Sequence, residues 1–285
     1  MNHKMVRLLP GLYFVATPIG TARDITLRAL DVLASADLIA AEDTRSMRRL
    51  LEIHGVPLGD RQVIAYHDHS GAGARSRLLD ALSEGKSVAY ASEAGMPLIA
   101  DPGYDLSRDA ARAGHLVTAA PGASAALCAL TLAGLPTDAF FFAGFLPNAT
   151  GARRKRLEEL AGIPGTLVFY ESPKRIAASL QDMAEVLGNR EAALCRELTK
   201  KFEEVRRASL PDLAADLAED SVKGEIVVLV DRQREAAGND ADLEADLRAA
   251  LRDNSVKDAA AIVAEAHDAP RRKIYQWALQ IARES

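Results

Sequence analysis

The chain has 285 residues, enough for one large core or two modest ones with a small appendage. It is 48% apolar and 26% charged, and no apolar run reaches the roughly 18 residues that span a bilayer, so no membrane partner is expected. The net charge of −5 argues against nonspecific coating of nucleic acid, but leaves room for local basic rims at 45–49, 153–156 and 271–273.

The opening MNHKMVRLLPG has no apolar core followed by a small-residue cleavage site, so a secretory signal is not expected. Strands are predicted over LYFVA (12–16), DLIAAE (37–42), QVIAY (62–66), SVAYAS (87–92) and LVTAA (116–120). The first helix between them takes Asp24 as its N-cap and sets Ile25, Leu27, Leu30 and Leu33 largely on one face. Further helices are predicted over 44–54, stopped by Gly55, then 73–84, and 103–113, stopped by Gly114. This alternation, with nearly continuous apolar strands, predicts a mostly parallel sheet covered on both faces.

At PGASAA (121–126) the texture changes. Strand candidates at 139–144, 166–170, 192–198, 202–209 and 225–230 include neighbours with no helix between them, which predicts a mixed sheet. The expected organisation is an α/β domain over 1–120, a second α/β domain over 121–232, and a linker with a helical module over 233–285. Helix breaks in that module are expected at Asn254-Ser255 and at Asp268-Ala269-Pro270. Cys128 and Cys195 lack CxxC neighbours and read as reduced core thiols, which makes the cytoplasm the expected compartment.

Ligands of a parallel sheet bind beyond the carboxyl ends of its strands. The residues there are TPIG, EDTR, HDHS and EAGMPLIADPG, the last with two prolines, two glycines, Glu93 and Asp101. No GxGxxG follows the first strand and no GxxxxGK[ST] occurs, so neither common phosphate loop is supported. GASAA lacks the second glycine of a nucleophile elbow. His67 and His69 have no third ligand at a telling spacing, so no metal is assigned.

The ordered set ATPIG, DITLRAL, AEDTR, EAGMP with DPGY, PGASA, GLPTD, FYESPKR, CRELTKKFEEV and KGEIV spans 12–228. In it the chain resembles the S-adenosylmethionine-dependent tetrapyrrole methylase family, in particular its members that methylate a cytidine ribose 2′-hydroxyl in 16S rRNA. Thr21 stands where related sequences typically have Asn, and Glu93 and Met96 replace the Asp and Thr of an SDAGTP loop. The resemblance implies two α/β domains with the cofactor in the cleft between them, a homodimer, a helix-turn-helix-like tail, and 16S rRNA or the small ribosomal subunit as partner. A methylase of tetrapyrroles or of a diphthamide precursor, and a noncatalytic ribosome-associated module, are the rival readings.

For S-adenosylmethionine the resemblance implies Thr17, Pro18, Glu93, Gly95, Ser124, Ala125, Tyr170, Gly224 and Glu225. Pro18 would stiffen the first loop and Gly20 would let its backbone approach a ligand. A ribose hydroxyl is a weak acid, so its methylation needs a carboxylate or a cation beside it. Asp43, Glu42 or Glu203 is expected to polarise it, and Lys200 or Arg45 to hold the ribose or phosphate. Arg153, Arg154, Arg175, Arg271, Arg272 and Lys273 are the candidate RNA contacts.

Overall fold

A computed structural model describes the chain except for residues 1, 68–70, 219–221, 234–239, 268, 270 and 285. His69 therefore lies outside the described residues. By its contacts the chain divides into two compact units, Met1–Arg232 and Gln233–Ser285.

The first sheet of the larger unit comprises β1 (Gly11–Val15), β2 (Leu38–Ala41), β3 (Val63–Ala65), β4 (Ser87–Ala91) and β5 (Val117–Ala120). Its order is β3-β2-β4-β1-β5 and every pairing is parallel. The connecting helices are α1 (Leu27–Ser35), α2 (Thr44–Ile53), α3 (Gly71–Ser83) and α4 (Tyr104–Arg112). Leu30 and Leu33 of α1 and Met47 and Leu51 of α2 pack on one face, with Val15, Ile39 and Ala91. Leu78 and Leu82 of α3 and Leu106 of α4 pack on the other, with Leu12, Phe14 and Tyr90. Both faces are covered, which is why these strands read as apolar runs rather than alternating ones. Because α1 and α4 lie on opposite faces while β1 and β4 are neighbours, the loops leaving those two strands diverge and open a crevice.

The N-cap of α1 is Thr26, whose Oγ1 accepts from Ala29 N at 3.1 Å, and not Asp24. Asp24 ends a short 3-10 turn over Ala22–Asp24, and Leu27, expected on the buried face, is exposed.

The second sheet is mixed. It comprises β6 (Phe140–Phe145), β7 (Thr166–Glu171), β8 (Glu191–Arg196), β9 (Glu204–Ser209) and β10 (Ile226–Val230), in the order β6-β7-β10-β8-β9. Only β6 and β7 pair in parallel. One face carries α6 (Thr150–Leu160), α7 (Ile176–Leu187) and α8 (Leu210–Asp216), the other α5 (Ala125–Ala133). The strand expected over 192–198 stops at Arg196, since Glu197 and Thr199 adopt left-handed φ values of +52° and +63°. Residues 197–203 instead form a loop that leads into β9.

Two expected RNA contacts are structural. Arg153 is buried, with Nε 2.6 Å from Asp182 Oδ2, and Arg154 Nε meets Oδ1 of the same carboxylate at 2.6 Å. Arg175 donates to Leu146 O at 2.5 Å and to the buried Glu171 at 3.2 Å, and also bonds the Asn148 side chain. Tying loops to a helix consumes these guanidinium groups, so Arg153 and Arg175 are not available to a phosphate. Arg154 keeps an exposed side chain but is also paired with Glu185 at 2.5 Å.

The smaller unit contains α9 (Asp240–Asp253), α10 (Val256–Ala266) and α11 (Arg271–Glu284). Leu243, Leu247, Ala260, Val263, Ile274, Ala278 and Ile281 form its core. Ser255 caps α10, accepting from Asp258 N at 3.2 Å, at the expected first break; Asp268 and Pro270 of the second lie outside the described residues.

Candidate active site

The crevice is closed at its base by main chain. Thr17 and Gly95 exchange both N–H···O bonds, each 3.0 Å, which joins the loop after β1 to the loop after β4. The Ser92 hydroxyl lies 2.9 Å from Gly95 O and fastens the second loop on itself. Gly95 has φ +84°, and a Cβ there would stand 3.2 Å from Ile19 Cγ2, so glycine serves both the turn and the close approach.

Gly20 is required by the packing of the protein itself. A Cβ at this position would fall 2.5 Å from Thr199 Oγ1 and 2.6 Å from Lys200 Cγ. The approach it permits is to the 197–203 loop of the second sheet. Thr21 completes that junction by donating to Thr199 O at 2.6 Å.

Where the two sheets' loops meet lies a cavity of about 360 Å³. Of the expected cofactor residues, Gly95, Ser124, Ala125, Tyr170, Gly224 and Glu225 line it. Thr17, Pro18 and Glu93 do not; Thr17 supports the wall through Gly95, and Ile19 supplies the wall from the first loop. Met96, Ile99, Ile226 and Val227 add apolar surface. Ser124 immediately precedes α5 without capping it, and Ser124 and Ala125 bring the start of that helix to the cavity. Tyr170 is fixed by edge contacts with Phe142 and Phe145 at centroid distances of 4.9 and 5.6 Å.

None of the five expected catalytic residues lines the cavity. Asp43 is the N-cap of α2, its Oδ1 accepting from Arg45 N at 2.6 Å and Ser46 N at 3.2 Å. Arg45 is exposed in the first turn of that helix. Glu42 reaches the second loop, with Oε2 3.4 Å from Glu93 N. Glu203 accepts from Thr199 N at 2.7 Å and so shapes its own loop. Lys200 joins Glu197 at 2.9 Å to Glu225 at 3.0 Å. Burial alone would lower the Lys200 ammonium, but hydrogen bonds to these two carboxylates outweigh it and raise its pKa. Gly224 makes room for this bridge: with φ +92°, a Cβ there would sit 2.3 Å from Glu197 Oε1.

Burial first, then Glu42, Asp43 and Glu225, push the Glu93 carboxyl above its usual range. Asp101, which was not among the expected site residues, lines the cavity and is pushed up to about 7 by burial and by Glu42 and Glu93. Its place in the same rigid proline- and glycine-rich loop was the one signal in the sequence that could have singled it out.

The model of the family described as Tetrapyrrole (Corrin/Porphyrin) Methylases matches residues 11–214, and that of the RsmI C-terminal HTH domain matches 237–282. The chain is 47% identical to ribosomal RNA small subunit methyltransferase I of Mesorhizobium japonicum, over 96% of this chain and 93% of that protein. It is 45% identical to the protein of the same name from Vibrio cholerae, over 95% of each. Among solved structures, uroporphyrin-III C-methyl transferase from Thermus thermophilus complexed with S-adenyl homocysteine superposes with a TM-score of 0.53. That match is 19% identical in sequence and covers 77% of this chain and 96% of the other. The chain belongs to the tetrapyrrole methylase family, alongside the small-subunit ribosomal RNA methyltransferases I.

Proposed function

We propose that this enzyme transfers a methyl group from S-adenosylmethionine to the ribose 2′-hydroxyl of a cytidine in 16S rRNA. The observation that carries the reading is the cavity at the crevice, together with a helical unit of the kind found in rRNA-modifying relatives. The residues present fit the cofactor. Ile19, Met96 and Tyr170 offer apolar walls to an adenine, and Gly224 and Gly95 keep those walls free of side chains. Ser124 and the first turn of α5 suit a carboxylate, and the surrounding acidic groups suit a net cation.

When bound, the cofactor supplies an electrophilic methyl on a cationic sulfur, so the protein's task is alignment and control of one proton. Lys200 holds Glu225, and through it the wall before β10, in one position. Glu42 steadies the loop after β4 through Glu93 N, while Arg45, exposed in the first turn of α2, receives a backbone phosphate. In the helical unit Lys257, Arg271 and Arg272 line one groove, and Lys273 follows them. No acidic residue lies in the first turn of α11, so three cations stand at the positive end of a helix dipole. Phosphate binding there relieves that repulsion.

The edge strand β6 exposes Phe140 and Phe141, an apolar edge suited to a second copy, and we take the enzyme to act as a homodimer. No helix among the described residues is long and apolar enough to cross a membrane. With an rRNA substrate and two unpaired cysteines, the cytoplasm is the compartment we assign.

The test is transfer of tritiated methyl to isolated small subunits and to naked 16S rRNA. Label is expected in rRNA, at a site where the adjoining phosphodiester resists alkali. Label on a base, or none, overturns the reading. Deleting residues 238–285 should weaken subunit binding and flatten its salt dependence while leaving cofactor affinity unchanged. Ser124→Trp should fill the cavity and remove cofactor binding in calorimetry without lowering the thermal midpoint; unchanged affinity would move the cofactor elsewhere.

A further inference from the structure

Three residues lining the cavity bear carboxyl groups: Asp101, Glu171 and Glu225. Two of them are committed. Glu171 is buried, accepts from Ser172 N at 2.8 Å and Ser179 Oγ at 2.6 Å, and is paired with Arg175. Glu225 is bound to Lys200. Among the described residues Asp101 forms no ion pair. The nearby Ser92 side chain lowers its proton affinity, and the charges acting on it are those of Glu42 at the end of β2 and Glu93 in its own loop. From the end of β7, Tyr170 is also within its electrostatic reach.

The segment that carries Asp101 is held in a costly conformation. Leu98 and Ala100 have left-handed φ values of +70° and +60°. Beyond it, Tyr90 Oη donates to Pro102 O at 3.0 Å, and a Cβ at Gly103 would stand 3.2 Å from the Tyr90 ring. Strain fixed by packing on both sides places one uncompensated carboxyl against the cavity.

We propose that Asp101 is the proton acceptor of the methyl transfer, a role that rests on the methyltransferase reading above. The hydroxyl oxygen provides the electron pair of the new O–C bond, the electron pair of the broken C–S bond remains on sulfur, and the hydroxyl proton passes to the Asp101 carboxylate. A group titrating at about 7 both takes and returns a proton at neutral pH. A cationic sulfonium nearby favours ionised Asp101, and loss of that charge after transfer favours the protonated form. By linkage, ionised Asp101 strengthens binding of S-adenosylmethionine but not of S-adenosylhomocysteine, whose sulfur is uncharged.

Calorimetry with both compounds at about pH 6 and about pH 8 tests this. Wild-type affinity for S-adenosylmethionine should rise several-fold across that interval and affinity for S-adenosylhomocysteine should not; Asp101→Asn should abolish the difference. At about pH 6 the variant should bind S-adenosylmethionine within about threefold of wild type, yet its single-turnover transfer should fall by about 10²–10⁴-fold. Asp101→Glu should restore part of that rate. The folded protein holds a proton on Asp101 between pH 3.8 and about 7 that the unfolded chain has lost, so stability falls as pH rises through this window. The urea midpoint of Asp101→Asn should therefore gain on wild type more at pH 8 than at pH 5, which also shows that the variant folds. Wild-type transfer rates in Asp101→Asn, loss of cofactor affinity at both pH values, or pH-independent wild-type binding would each overturn the proposal. Wild-type protein that labels no subunits sinks both readings; wild type and Asp101→Asn labelling them equally sinks this one alone.

Discussion

Replacing Gly224 with alanine is expected to weaken cofactor affinity by more than tenfold while leaving the protein folded. The added methyl would lie 2.3 Å from Glu197 Oε1 and 2.4 Å from Glu197 Cδ, and the backbone φ of +92° is itself unfavourable to an L side chain by about 1–2 kcal/mol. Glu197 must swing away. In doing so it gives up Lys200 Nζ at 2.9 Å and Glu225 N at 3.1 Å, the contacts that hold the wall before β10. Lys200→Met removes the cation without adding bulk. It should reproduce the loss of affinity in milder form, because Glu225 N still donates to Glu197. Calorimetric titration of both variants checks this; wild-type affinity in Gly224→Ala would show that the Glu197–Lys200–Glu225 bridge does not shape the site.

Asp182→Ala is expected to lower the free energy of unfolding by about 3–5 kcal/mol. Asp182 is 2% exposed and Arg153 4% exposed, and one carboxylate serves two guanidinium groups, Arg153 and Arg154. Arg154 can turn to solvent and to Glu185, but Arg153 would keep only Asn148 O at 3.1 Å and Thr150 Oγ1 at 3.4 Å. An uncompensated buried cation is costly because the folded interior solvates it far less well than water does. Asp182→Ala combined with Arg153→Met should recover much of the loss, since the pair's own desolvation cost disappears with it. The urea midpoint of each variant measures this. A loss below about 1 kcal/mol would mean that water reaches the site and that Arg153 is not held by Asp182.

Periodicity and loop position made much of the architecture legible. Apolar runs buried on both faces give a parallel sheet whatever their partners, so the first five strands and the mixed second sheet can be read from local pattern. Loops after those strands carry the site because strand ends, not side-chain identities, determine where a crevice opens. What each charged residue does there was decided by tertiary structure. Asp43 and Arg153 look like reagents in a linear chain, yet one caps a helix and the other neutralises a carboxylate 29 positions away. Gly20 and Gly224 face the same loop, 197–203, which local sequence cannot connect to either. Asp101 owes its perturbed proton affinity to burial and to Glu42 and Glu93, of which only Glu93 is near in sequence. Desolvation and the charge of a distant neighbour are properties of a place in space. The sequence therefore determined which strand ends carry the site's loops, and only the folded chain decided which of those loops meet and which of their side chains remain uncommitted and available for chemistry.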